Sequence, residues 1–221
     1  MTEPRQISDL TKSIMEENET FCQSNQTAQE TRTEIVELMN DAIDHVQWEA
    51  KLSRRNQLFP KFAMLNYLFF VLMPISYAIH LDFLTGNLPA CFMQLRTLLE
   101  QLAKCFLSDL KYQDLAFFQD KMVKLEAEGV SLTKTIETVE PKAVPLWSRL
   151  SNDWVHMKYL KRTVNVVLER GDVPGYGLVI PIAYSETELP EIEELGKSII
   201  DYRTMLAKTI EKWKAQVFRD P

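Results

Sequence analysis

Apolar residues recur along most of this chain at three- and four-residue steps, the period of a helix that buries one face. The cleanest run is near the end, where Ile192, Leu195, Ile199, Tyr202, Leu206, Ile210, Trp213 and Val217 alternate those steps almost without error. Ser185 and Glu188 stand ahead of it at capping-box spacing. A second stripe, Leu88, Cys91, Leu95, Leu98, Leu102 and Phe106, predicts a helix over 88–110, entered through a turn at Gly86, Asn87 and Pro89. Between residues 6 and 53 the pattern changes. Ile7, Ile14, Phe21, Ala28, Ile35 and Ala42 recur every seven positions, while the companion positions Leu10, Glu17, Ser24, Thr31, Leu38 and His45 are mostly polar. A two-sided coiled-coil seam wants both sets apolar. The pattern predicts one long helix whose last turns (Ile35, Val36, Met39, Ile43, Val46) dock on a core and whose first half is frayed or lies along a partner.

The remaining punctuation predicts shorter elements. Pro60 opens a helix that runs to Leu84 with a kink near Pro74. Residues 113–128 read as an amphipathic helix ended by Gly129, 131–139 as a short helical piece, and 146–170 as a helix following the break at Pro141 and Pro145. Leu178–Tyr184 has strand character but is too isolated to define a sheet. The expected architecture is an all-α, up-and-down helical bundle with a long N-terminal helix: a polar helical extension over 1–34 and one main domain over 35–221. The low glycine count of six agrees with few tight turns.

The run from Phe62 to Ile79 approaches the length that spans a bilayer. Asn66, Ser76 and Pro74 interrupt it and His80 and Asp82 follow, so a buried central helix is expected and a membrane anchor is the lesser reading. The net charge of −6 excludes a surface that grips nucleic acid all round, though not a local basic patch. Cys22, Cys91 and Cys105 lie far apart without a CxxC pair, which argues against a disulfide framework or a zinc site. With no apolar leader over residues 1–34, a reducing cytoplasm is the expected compartment.

Chemistry concentrates on the helix after Pro145. Arg149 and His156 are seven residues apart, two helical turns, and project from one face with Asn152 and Asp153 between them and Tyr159 one turn beyond. A histidine there can exchange a proton near neutral pH, and an arginine can hold a phosphate. The same residues also read as a network tying the helix to its neighbours. Arg96 and Glu100 form an i, i+4 pair at the edge of the 88–110 stripe. They are either a partly exposed salt bridge or a polar inlay facing the His156 helix, with Ser151 beside it. His45 and His80 read as structural. Gly171, Gly175 and Gly177 fit no phosphate-loop spacing, and Trp147, Trp154 and Trp213 read as packing.

The segment Arg149-LSNDWV-His156 resembles the arginine–histidine signature of HEPN domains in its form with six intervening residues. The pairing of RTLLEQLAK (Arg96, Glu100) with RLSNDWVH (Ser151, His156) is similar to an uncharacterised prokaryotic helical family in which an Arg-xxx-Glu helix precedes a Ser-xxxx-His helix. The resemblance covers residues 60–170. It implies a bundle that dimerises so that the Arg and His of two protomers meet and cleave RNA without a metal. Arg149 would then bind the scissile phosphate, and His156 would activate the ribose hydroxyl or protonate the leaving group. The position after the arginine, usually polar in active members, is Leu150 here.

Three functions follow. The first is a metal-independent endoribonuclease of toxin or defence type, with Arg149, His156 and Asn152 catalytic and Arg96, Glu100, Ser151, Asp153 and Tyr159 binding. The second is a non-catalytic scaffold that dimerises or binds a helical partner. The third is a bundle that holds a small anion between the Arg96 and His156 helices. No cofactor, metal or DNA is expected, and RNA and a second copy are the expected partners.

Overall fold

The computed structural model describes residues 7–52, 54–155 and 183–218. These residues are helical and contain no strand. In chain order the helices are α1 (Ile7–Ser24), α2 (Gln26–Ala50), α3 (Arg55–Leu58), α4 (Ala63–Tyr67), α5 (Met73–Leu84), α6 (Leu88–Lys111), α7 (Phe118–Ala127), α8 (Leu132–Val139), α9 (Val144–Arg149) and α10 (Leu189–Gln216). A π-helical turn over Leu68–Leu72 joins α4 to α5, and a second, Leu150–Val155, extends α9.

The expected long first helix is two helices. Asn25 breaks it with extended backbone angles, and its side-chain oxygen accepts from the Ala28 N–H, so the residue caps α2. The break lets α1 fold back onto α2 and α5. Ile14, Asn18 and Cys22 are its buried positions, a four-residue step, while Glu17 and Ser24 lie exposed or nearly so. On α2 the seven-residue seam is two-sided after all: Ala28, Ile35 and Ala42 are buried, and so are Thr31 and Leu38. Thr31 is admitted because its hydroxyl donates to the Ile192 carbonyl at 2.9 Å, satisfying the buried group. Opposite it stands Gly196, where a Cβ would come within 2.6 Å of the Thr31 Oγ1. Val36, expected to dock, is exposed.

α6 is the central element. It packs against α4, α5, α7, α8, α10 and the π-turn that follows α9, and its stripe from Leu88 to Phe106 is buried throughout. The eight-residue stripe of α10 is buried throughout as well. Two polar networks fix these helices to one another. Asp109 accepts from the N–H groups of Ala63 and Met64, each at 3.0 Å, from Lys121 Nζ at 3.0 Å and from Trp213 Nε1 at 3.1 Å, thereby capping α4 and joining α6, α7 and α10. The buried hydroxyls of Tyr67 and Tyr202 share a hydrogen bond, and Tyr67 also donates to the Leu98 carbonyl.

The stretch from Pro60 to Leu84 departs from its expectation in one respect. It is a helix from Ala63 that is buried on one side only, and at the place of the expected kink, just before Pro74, it widens: the Met73 N–H reaches back five residues to Leu68. Widening relieves the clash between the Pro74 ring and the preceding turn. Leu68, Leu72, Ser76, Ile79 and Phe83 face the core, whereas Phe69, Phe70, Tyr77 and Leu81 are exposed.

Candidate functional site around Arg149

The Pro141 and Pro145 pair produces a 3₁₀ turn over Pro141–Ala143 and then α9, with Pro145 in its first turn, where no N–H is needed. Leu146 and Leu150 anchor α9 and its π-helical extension in the core. Leu150, where a polar residue would be usual in active HEPN proteins, is a fully buried packing residue.

Around this helix the candidate residues divide between two faces. Trp147 turns towards α6. Trp147 Nε1 donates to Glu100 Oε1 at 3.0 Å, and the same carboxylate oxygen accepts from Arg96 Nε at 2.7 Å. The Arg96 guanidinium lies 6.0 Å from the centre of the Trp147 ring. The Arg96–Glu100 pair is therefore an inlay facing the Arg149 helix. Trp147, which reads from sequence as packing alone, is the hydrogen-bond donor that links the two. Ser151 is buried, and its Oγ has no hydrogen-bond partner among the described residues.

Arg149 turns the other way, towards α10. Its Nε lies 3.1 Å from Glu194 Oε1, and its Nη2 donates to Asp201 Oδ2 at 3.0 Å. The side chain is 42% exposed. It opens onto a depression of about 190 Å³ whose wall includes Lys142, Lys208, Thr204, Asp201 and Glu140. Glu140 is itself held by Lys212 at 3.5 Å. Asn152 is exposed, and its amide donates to the Ser148 hydroxyl at 3.0 Å. The described residues thus bring Arg96, Glu100 and Trp147 together on one side of the helix and place Arg149 on the other. His156 and Tyr159, and the side chain of Asp153, lie outside the described residues.

Glu194, Asp201, Lys142 and Lys208 were not among the residues singled out from sequence. A signal for two of them exists. Glu194 and Asp201 are seven apart, so they ride one edge of the α10 stripe and can meet a cation from a helix laid across it. Lys142 and Lys208 reach the depression only through tertiary packing. Among the described residues no group of three or more His, Cys, Asp or Glu side chains is placed to hold a metal ion. The three cysteines are free and buried, and burial pushes the Cys22 thiol up to about 11, so it stays a protonated packing group at neutral pH.

No protein-family model, curated protein or solved structure matches this chain.

Proposed function

We propose that the Arg149 edge of the bundle is the phosphate-binding half of a HEPN-like, metal-independent endoribonuclease whose proton-transfer residue is His156. The observation that carries this reading is the placement of Arg149. It is half-exposed at the mouth of a depression lined by two further cations, Lys142 and Lys208, in a chain of net charge −6. Glu194 and Asp201 hold the guanidinium in a fixed orientation without burying it, the condition for receiving a phosphodiester without ordering a free side chain. The half-buried Arg96–Glu100–Trp147 link fixes the helix axis and serves as positioning, two residues from Arg149 in sequence.

In this reaction His156 removes the proton of the ribose 2′-hydroxyl, the 2′-oxygen attacks phosphorus, and the bond to the 5′-oxygen breaks as that oxygen takes a proton. Arg149 offsets the charge that develops on the phosphoryl oxygens. The need for the 2′-hydroxyl makes RNA the substrate and excludes DNA. A second copy of the chain, facing this edge, supplies the other half of a composite site, in the reducing compartment that the sequence favours.

One observation favours a non-catalytic reading. Arg149 is paired twice to α10, which is also how a strap between α9 and α10 is built. RNA cleavage in EDTA by wild type and by His156→Ala separates the two. The nuclease loses cleavage in the variant and keeps its fold, whereas a scaffold gives no cleavage in either.

A further inference from the structure

The helix from Ala63 to Leu84 is long and apolar enough to cross a membrane, yet only a third of its most apolar stretch is buried. The outward side of a bundle helix is ordinarily polar. Here one side is occupied by the rest of the bundle, and the other presents Phe69, Phe70, Pro74, Tyr77 and Leu81, with Phe70 60% exposed. Met93 of α6 is exposed too. No Lys, Arg, Asp or Glu occurs from Phe62 to Leu81. The exposed side chains therefore form an apolar face with no charge along its length.

One end of this face is basic. Lys51, Arg54, Arg55 and Lys61 fall within the segment Ala50–Phe62, which contains no Asp or Glu. Arg55 is tied to the buried Glu49 at 3.0 Å, and its guanidinium lies 5.2 Å from the Phe59 ring centre and 5.5 Å from that of Phe69. A groove lined by Arg55, Asn56, Phe59, Pro60, Phe69 and Phe70 is continuous, through Arg55 and Asn56, with a polar hollow that includes Arg54 and Gln57. Lys51, Arg54 and Lys61 are exposed and form no ion pair among the described residues. Phe118 donates its N–H to the Pro60 carbonyl at 2.8 Å, which brings the exposed Phe117 to the same end.

The geometry points to this face as a docking surface for an anionic bilayer, with the helix lying in the interface and not crossing it. Crossing is impossible for a helix whose other side is packed on α2 and α6. Lying flat satisfies both halves of the pattern. Phe69 and Phe70 enter the boundary between headgroups and acyl chains, Tyr77 keeps its hydroxyl at headgroup level, and the three unpaired cations, Lys51, Arg54 and Lys61, reach the phosphates beside them. Uncompensated cations at the edge of an apolar face select a negatively charged surface, because each gains attraction only near anionic lipid. The remainder of this acidic chain is repelled by that surface, which fixes the orientation.

Co-sedimentation with vesicles tests this on the full chain. Wild type is expected to bind vesicles of phosphatidylcholine mixed with phosphatidylserine, to release them as salt is raised, and to ignore vesicles of phosphatidylcholine alone. Phe70→Ser, at an exposed position, should lower the partition coefficient by about tenfold or more. Arg54→Gln should lower it by about fivefold, and helical circular dichroism should be unchanged in both variants. Equal binding to the two kinds of vesicle, or none to either, overturns the proposal. Light scattering reads the competing occupant: self-association abolished by Phe70→Ser, without vesicle binding, assigns the face to a second copy of the chain.

Discussion

Asp109 and Arg149 are both ion-paired, and burial makes them opposites. Asp109 is wholly enclosed with Lys121, and burial pushes its carboxyl above the ordinary range against the opposing pull of Lys121 and two backbone N–H groups. Removing the carboxylate leaves a buried ammonium, two helix N–H groups and an indole N–H without their acceptor. Asp109→Ala is expected to cost about 3–5 kcal/mol, read from the urea midpoint. A loss under about 1 kcal/mol would contradict the network's role. Arg149 is different because it and both partners reach solvent, Glu194 by 35% and Asp201 by 55%. Screened pairs of that kind contribute little. Arg149→Ala should therefore lower stability by less than about 1 kcal/mol while abolishing RNA cleavage. An equal fall in stability and activity would mark it as a strap.

At the level of helices, close approach decides what is tolerated. Alanine is a better helix former than glycine by about 1 kcal/mol, yet at position 196 its Cβ would sit 2.6 Å from Thr31 Oγ1. Gly196→Ala is expected to destabilise by about 1–3 kcal/mol. Thr31→Ala combined with it should restore part of that loss, a coupling that a double-mutant cycle measures. Additive effects would mean that α2 and α10 do not meet there. The same pair of helices shows what was legible beforehand. The α10 stripe stands as the spacing implies, and the Ser185–Glu188 capping box forms on the 3₁₀ turn Glu186–Glu188 that leads into α10, because apolar period and local capping are written in nearby residues. The α1–α2 break was not legible. Asn25 is a cap only if the preceding helix turns back, and that depends on where Cys22 and Asn18 find their burial. Asn18 reaches the Leu84 carbonyl, and the Tyr184 N–H reaches Asn18, contacts that span the chain and leave no local trace. The candidate site was legible in part. The Arg96–Glu100 pair could be placed on its helix from spacing, but its link to Trp147 and the turning of Arg149 towards Glu194 and Asp201 follow only from how α6, α9 and α10 pack.

For the molecule as a whole, histidine sets a pH window. Burial is the main cause that lowers both His45 and His80 below the ordinary 6.5, helped by Lys214 beside His45 and Arg32 beside His80, and opposed by Asp41, Asp44 and Glu19. As pH falls through 6.5 the unfolded chain takes up these protons before the folded one does. The stability present above that pH is then lost progressively down to the lower folded-state values. The raised carboxyls of Glu49 and Asp109 act with the reverse sign at lower pH. Thermal midpoints should therefore fall between about pH 7.5 and about pH 5.5, and the double variant His45→Gln, His80→Gln should flatten that fall. An unchanged slope would assign it to other groups.

The bundle joins a half-exposed arginine at the end of α9 to an acidic ridge on α10 and a polar inlay on α6, and the proposed chemistry depends on Arg149 and His156 acting together. The chemical ends of RNA fragments made by the purified protein in EDTA test this most directly. Attack by the ribose hydroxyl, with Arg149 and His156 acting on one phosphodiester, leaves a 2′,3′-cyclic phosphate and a 5′-hydroxyl. Those ends from wild type, and none from Arg149→Ala or His156→Ala, are the expected result. Intact RNA with wild type, or fragments that end in 3′-hydroxyl and 5′-phosphate, would contradict it.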